Sequence, residues 1–238
     1  MKLRVLGSGS SGNCYILESV DEALIIEAGM PFKDVKVALN FNVRKIKAVL
    51  ISHEHGDHYK YHEEYRRVGI PVYEPFKDEN QTLSFDSGFI IQGFPNRSKN
   101  GHWFHGNSDG SECPCYGFLI RHPDMGNLVY VTDTECVRWR FKDINHMLVE
   151  ANYSDNLIEH DAVNRDHVLR GHMSLQTALG FISTNDNPTL ENVVLIHLSD
   201  KNADSADFLQ KTKETIKYGA DVSIAEKGLS VNLDLVPF

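Results

Sequence analysis

Ser52-His53-Glu54-His55-Gly56-Asp57-His58 sets three imidazoles and the Asp57 carboxylate within six consecutive residues. The apolar run before it, Lys47 to Ser52, is short enough for a buried strand. Tyr59 to Val68, after it, reads as a helix stopped by Gly69-Ile70-Pro71. A loop that only met solvent would seldom collect three histidines. Imidazole and carboxylate are the usual ligands of Zn²⁺, and Gly56 allows a sharp turn that aims alternate side chains at two centres. The stretch reads as a metal-binding loop between a strand and a helix.

Working outward, Leu3 to Leu6, Cys14 to Glu18 and Ala23 to Glu27 are short apolar runs separated by turn residues, and Pro31 suits the first position of a helix. Leu83 to Phe85, Phe89 to Phe94, Tyr116 to Arg121 and Leu128 to Thr132 predict a β-meander. The polar stretch Pro95 to Pro114 inside it is too long for an idle connection. Strands at His146 to Glu150 and Val193 to His197 alternate with helices near Ser154 to Arg165, Ser174 to Thr184 and Ala203 to Tyr218. Val222 to Ala225 and Ser230 to Leu235 are the last strands. No repeat, linker or low-complexity tract interrupts this α/β pattern, so one domain over residues 1–238 is expected.

Twenty-four Lys and Arg against 33 Asp and Glu give a net charge of −9, with 41% hydrophobic and 24% charged residues among 238. That balance excludes a disordered or fibrous chain. It also argues against a broad basic surface that grips nucleic acid by neutralising phosphates, although not against capture of a phosphodiester through metal ions. No apolar run approaches the ~18 residues of a membrane span, and Gly7-Ser8-Gly9 follows Met1 to Leu6 with no signal-peptide core. Cys14, Cys113, Cys115 and Cys136 form no CxxC pair and read as reduced thiols. A cytoplasmic protein is expected, without membrane association or an obligate protein partner.

Gly7-Ser8-Gly9-Ser10-Ser11-Gly12 has the G-x-G-x-x-G outline of a dinucleotide fingerprint, but the next strand follows too soon for a crossover helix. Asn13-Cys14 likewise stands where a phosphate-binding P-loop needs Lys and Ser or Thr. The stretch reads as a tight loop in a β-hairpin.

His-x-His-x-Asp-His resembles the signature of the metallo-β-lactamase superfamily, whose fold is a four-layer αββα sandwich with a two-metal site on one edge. Leu24 to Gly29, Tyr130 to Thr134 and Leu195 to Ser199 resemble, in order, the family's later motifs, with Glu27 where Asp is usual. The resemblance implies two divalent metal ions. His53 and His55 would hold one with a histidine of the middle loop, either His102 or His105, of which His105 is favoured. Asp57, His58 and His197 would hold the other, and Asp133 would bridge. His62, His122, His146, His160 and His167 read as surface or helix histidines. The nitrogen-rich set suits Zn²⁺ and also admits Mn²⁺ or Fe²⁺.

Gly-Ser-Gly-Ser-Ser-Gly-Asn-Cys at residues 7–14 resembles the bacterial YycJ-like subgroup, linked to DNA exonuclease activity. Leu148 to Ala151 and Gly171 to Ser174 resemble motifs of nuclease and tRNA-processing relatives. The resemblance implies a phosphodiesterase or nuclease acting on DNA or RNA through a metal-bridging hydroxide. His172 would be the proton donor, Glu150 its orienting carboxylate, and Asp57 a further catalytic residue. Glu27 would orient the histidine loop. Two other readings stay open: hydrolysis of a small ester, thioester or lactone at the same site, and metal binding without catalysis.

Overall fold

A computed structural model of the chain describes residues 1–78, 82–86, 88–158 and 169–235. The first sheet has six strands in the order β13-β1-β2-β3-β4-β5. These are β1 (Lys2–Gly7), β2 (Cys14–Glu18), β3 (Ala23–Ile26), β4 (Ile46–Leu50), β5 (Val72–Tyr73) and β13 (Ser230–Asn232). The second runs β12-β11-β10-β9-β8-β7-β6, comprising β6 (Thr82–Ser84), β7 (Ile90–Pro95), β8 (Tyr116–His122), β9 (Gly126–Val131), β10 (His146–Glu150), β11 (Asn192–Ile196) and β12 (Asp221–Ile224).

The two-residue period of the strands splits their side chains between two apolar layers. Tyr15, Leu17, Leu24, Ile26, Ala48 and Leu50 point inward and meet Phe118, Leu128, Tyr130, Leu148, Val194 and Ile196 of the other sheet. Their neighbours Ile16, Ile25 and Val49 point outward and are covered by Phe32 and Val35 of α1 (Phe32–Ala38) and Tyr65 of α3 (His62–Arg66). On the far side Val129, Val149, Val193 and Leu195 lie under α4 (Leu175–Asn185) and α5 (Ser205–Thr215). Strands buried on both faces need continuous apolar runs, which explains why these strands read so clearly. The layers are helix, sheet, sheet, helix, the αββα sandwich that the resemblance implied.

Three expectations need correction. The helix expected over Tyr59 to Val68 is instead α2 (Gly56–Tyr59) and α3, broken at Tyr61, whose N–H turns aside to donate to the Ala28 carbonyl. The strand expected through Glu27 stops at Ile26, because Glu27 has φ 67°. His122 and His146 are buried strand residues rather than surface or helix histidines. Part of the expected Ser154 to Arg165 helix, with His160, and also His167 lie outside the described residues. No helix among the described residues is long and apolar enough to cross a membrane.

Glycine 7 to Gly12 forms the turn of the antiparallel β1–β2 hairpin, as the failed fingerprints required. Both sheets contain parallel strands: β3, β4 and β5 in one, and β9 through β12 in the other. Open parallel sheets present their ligand-binding loops at the carboxyl ends of the strands, and here those ends from both sheets share one edge of the sandwich.

Candidate metal centre

Most site residues leave a strand at that shared edge, while His105 comes from the loop after β7 and His172 from the stretch before α4. Glu27 follows β3, His53 to His58 follow β4, Asp133 follows β9, Glu150 ends β10, and His197 follows β11. Glu27, Asp133 and His197 have φ of 67°, 48° and 55°. Left-handed backbone costs about 1 kcal/mol or more for a non-glycine residue. The fold spends it three times where a strand must turn abruptly to present a side chain.

The first cluster holds His53, His55 and His105, whose candidate ligand atoms lie within 4.8 Å of one another. One ring nitrogen of each is already engaged: His53 Nδ1 by Ser52 Oγ at 2.9 Å, His55 Nε2 by Asn107 Oδ1 at 2.9 Å, and His105 Nδ1 by the Gly171 carbonyl at 2.8 Å. The remaining nitrogens converge. His105 Nε2 lies 2.9 Å from His55 Nδ1, while the buried His53 Nε2 has no hydrogen-bond partner. Burial and neighbouring histidines hold His53 well below the usual imidazole range. Burial lowers His105 to about 3. Neutral rings held by outer partners, with lone pairs facing a common point, are what a metal ion requires. His102, the alternative, is 74% exposed and lies against Glu112.

The second cluster joins Asp57, His58 and His197. Asp57 Oδ2 lies 3.3 Å from His58 Nε2 and 3.2 Å from His197 Nε2, and Asp133 Oδ2 is 3.1 Å from His58 Nε2. Burial raises the Asp57 carboxyl, but the His197 and His58 hydrogen bonds outweigh it and hold the group far below the carboxylate range. Burial works likewise against Asp133, and His197 and His58 reverse it. Burial disfavours the His58 cation, yet Asp133 and Glu27 hold its pKa well above the ordinary value. Two carboxylates converging on one nitrogen call for positive charge between them. Both clusters fit divalent ions in donor chemistry, and Asp133 sits in groups with His53 and His58 and with His197.

Beside them, His172 Nδ1 lies 2.6 Å from Glu150 Oε1 and 3.4 Å from Asp133 Oδ1. Burial opposes the His172 cation, but Glu150 prevails and raises the group to about 9. Glu150 is itself fixed through Oε2 by the Thr134 and Met173 N–H groups at 3.2 and 3.3 Å. Glu27 accepts from Ser52 N at 3.3 Å and Tyr130 OH at 3.0 Å and faces His58 Nδ1 at 3.4 Å.

Several site residues escaped sequence reasoning. Asn13 reaches Asp57 Oδ2 at 3.2 Å and His58 Nε2 at 2.9 Å. Asn152 donates to the His197 carbonyl at 2.8 Å, and Asn107 anchors His55. For Asn13 a signal existed in the Gly-rich hairpin whose backbone packs on the histidine loop, with Asn13 N donating to the Asp57 carbonyl at 2.7 Å. Asn107 and Asn152 carry no comparable pattern.

The profile of the metallo-β-lactamase superfamily matches residues 7–80. The chain is similar to the exodeoxyribonuclease WalJ of Streptococcus pneumoniae, with 40% identity over 60 residues, 24% of this chain and 22% of that protein. It is also similar to the exodeoxyribonuclease YycJ of Bacillus anthracis, with 26% identity over 173 residues, 65% of this chain and 64% of that one. The matches thus span under two thirds of either relative. The metallo-β-lactamase fold protein YhfI of Bacillus subtilis shares the fold at a TM-score of 0.69 and 18% identity, over 97% of this chain and 98% of that one. The N-terminal third thus carries the metallo-β-lactamase superfamily profile, and the whole chain shares the αββα fold of YhfI.

Proposed function

We propose that this protein is a dinuclear metal-dependent phosphodiesterase acting on DNA or RNA, with residues 1–238 working as one domain. The observation that carries the reading is the His172–Glu150 pair, 2.6 Å apart and adjoining Asp133. A hydrolase of activated esters can dispense with a proton donor, whereas an alkoxide leaving from a phosphodiester benefits from one.

In this reading His53, His55 and His105 would hold one ion and Asp57, His58 and His197 the other, with Asp133 adjoining both groups. Zn²⁺ is the favoured metal, with Mn²⁺ or Fe²⁺ compatible with the same donors. When bound, divalent ions supply Lewis acidity toward phosphoryl oxygens and lower the pKa of water. The chain's own residues do the rest. Glu150 binds His172 through Nδ1 and orients the ring as proton donor to the departing oxygen. With the pKa at about 9, that proton is present at neutral pH. Glu27 orients His58 from behind, and Asn13 positions Asp57. A cytoplasmic location fits the four free cysteines.

The test is cleavage of end-labelled single- and double-stranded DNA and RNA by Zn²⁺- or Mn²⁺-loaded protein. A panel of esters, thioesters and lactones runs beside it. Nucleic-acid cleavage that disappears in His53→Ala and Asp57→Ala is expected. Cleavage surviving both substitutions overturns the proposal, and turnover confined to the ester panel replaces it with the small-ester reading.

A further inference from the structure

The strand of chain that leaves Asp133 does not return at once to the sheet. Glu135 N donates to the Phe104 carbonyl at 2.9 Å, next to His105, and Phe141 is anchored again between Phe94 and Phe181 at 5.0 and 6.3 Å. Between these two anchors, Arg138, Trp139 and Arg140 stand exposed. The Arg138 guanidinium lies 4.6 Å from the Trp139 ring centre, and the indole N–H donates to the Pro95 carbonyl at 3.0 Å. Trp139 is held in place while 37% of it remains exposed.

Two features make this segment available to a polyanion. Arg4, Lys45, Arg66, Lys77 and Lys211 each meet a carboxylate. Arg138, Arg140 and the nearby Lys142 pair with none among the described residues. Second, the arrangement recurs two residues beyond Pro95. Arg97 lies 5.4 Å from the ring centre of Trp103, to which its backbone is bridged. The chain has only two tryptophans, and each carries an arginine beside the 95–97 segment.

A groove of about 300 Å³ runs along the first ledge, with Cys136 to Arg140 on one wall and Thr177, Phe181 and Thr184 of α4 on the other. Both walls grow out of the site. One begins three residues after Asp133. The other belongs to a helix capped by Ser174, two residues after His172.

We propose that the Arg138–Trp139–Arg140 ledge and its groove bind a single strand of nucleic acid and lead it to the metal centre. Exposed indole offers a face to any base, and unpaired guanidinium groups meet phosphates, the combination by which proteins hold single strands without reading sequence. A duplex keeps its bases stacked and would gain only the charge contacts. In a chain of net charge −9, grip confined to one ledge keeps a polyanion's backbone away from the acidic remainder. The assignment rests on the phosphodiesterase reading for its substrate class, but its test does not depend on catalysis.

Binding of a fluorescein-labelled phosphorothioate oligo-dT, its RNA counterpart and a duplex of the same length is measured by anisotropy. The full chain is used, both metal-loaded and with chelator. Trp139→Ala weakens single-strand binding roughly 5- to 150-fold, the loss expected for one base stack. Trp139→Phe keeps an aromatic face, gives up the Pro95 hydrogen bond, and retains binding within about threefold if stacking is the cause. Replacing Arg138 and Arg140 by Ala lowers the log–log salt slope by about 1.4, since each single-strand phosphate contact contributes about 0.7. Lys213→Glu, exposed on α5, leaves the affinity unchanged. Duplex binding tighter than single-strand binding, or affinity indifferent to Trp139→Ala, overturns the proposal even when the enzyme cleaves nucleic acid. Ledge-dependent binding by a protein that cleaves no phosphodiester upholds the ledge and overturns the phosphodiesterase reading instead.

Discussion

Removing one oxygen, in Tyr130→Phe, tests whether Glu27 is the keystone of the histidine loop. Tyr130 and Glu27 are fully buried, and the hydroxyl donates to Oε1 at 3.0 Å. The other oxygen accepts from Ser52 N at 3.3 Å, and His58 Nδ1 stands 3.4 Å from Oε1. The substitution leaves a buried carboxylate one donor short, with no solvent to replace it. A hydrogen bond to a charged group contributes about 1.5–3 kcal/mol, so a loss of about 2 kcal/mol is expected. For a domain of this length each kcal/mol moves the melting temperature by about 2–4 °C, which predicts a fall of about 4–8 °C. Urea unfolding and thermal melts of metal-free protein measure it. A double-mutant cycle with Glu27→Gln then separates the pair from general packing, because a hydroxyl acting through the carboxylate gives a coupling of about 0.5–3 kcal/mol. A melting shift below about 1 °C, or additive single effects in the cycle, refutes the role given to Glu27.

Other expectations follow from the same geometry. Glu150→Gln removes the carboxylate that keeps His172 protonated, so the His172 titration seen by NMR moves from about 9 toward 6.5 and the alkaline limb of activity moves down with it; an unmoved titration contradicts the pairing. His146 is buried and lowered from 6.5 to about 4 by that burial. The unfolded chain therefore binds a proton that the folded one refuses, and stability falls by roughly 2–3 kcal/mol as pH drops from 6.5 to 4. His146→Asn should flatten that part of the stability–pH curve, and an unchanged slope assigns the effect elsewhere. Divalent metal at a hundred times its Kd adds about 2.7 kcal/mol and so raises the melting temperature by about 5–11 °C; chelator should reverse this, and His53→Ala should shrink it. Gly29→Ala puts a Cβ 1.7 Å from the Asp57 carbonyl oxygen and 2.6 Å from Asn13 N, and should cost at least about 3 kcal/mol or prevent folding; a soluble variant with normal melting contradicts the packing of the hairpin on the histidine loop.

What was legible in the sequence followed its periodicities. Leu24-Ile25-Ile26 and Ala48-Val49-Leu50 are apolar on both faces because they are buried on both faces, and such runs announce themselves. Helix ends were less legible, because tertiary bonds decide them. Nothing local to Tyr61 says that its N–H will leave the helix for Ala28. At the N-terminus of α1, Pro31 sits one position earlier than expected, and the Phe32 N–H is satisfied by Glu64 Oε2 of α3 at 3.0 Å, from 32 residues away. The densest ligand cluster could be read because six residues carry four of the groups. The partners that fix those groups could not. Asn13 is 44 residues from Asp57, and Gly171 contributes to His105 only a carbonyl that every residue possesses.

That division has a physical cause that extends to the choice between His102 and His105. Both precede short segments of similar polarity, and sequence distinguishes them only by their aromatic neighbours Trp103 and Phe104. In the structure the distinction comes from the backbone. Ser98 N donates to the His102 carbonyl and Phe104 N to the Asn96 carbonyl, so the loop forms a short ribbon that bridges Arg97 to Trp103. Along a ribbon, neighbouring side chains alternate faces and residues an odd number apart point opposite ways. His102 therefore faces solvent and Glu112, while His105 turns under the ribbon toward Gly171 and His55. The same ribbon presents Arg97 and Trp103 beside the Pro95 carbonyl that holds Trp139. One register thus sets the outward His102 against the inward His105. A slip of one residue would exchange the two histidines, turning His105 to solvent and His102 toward the site.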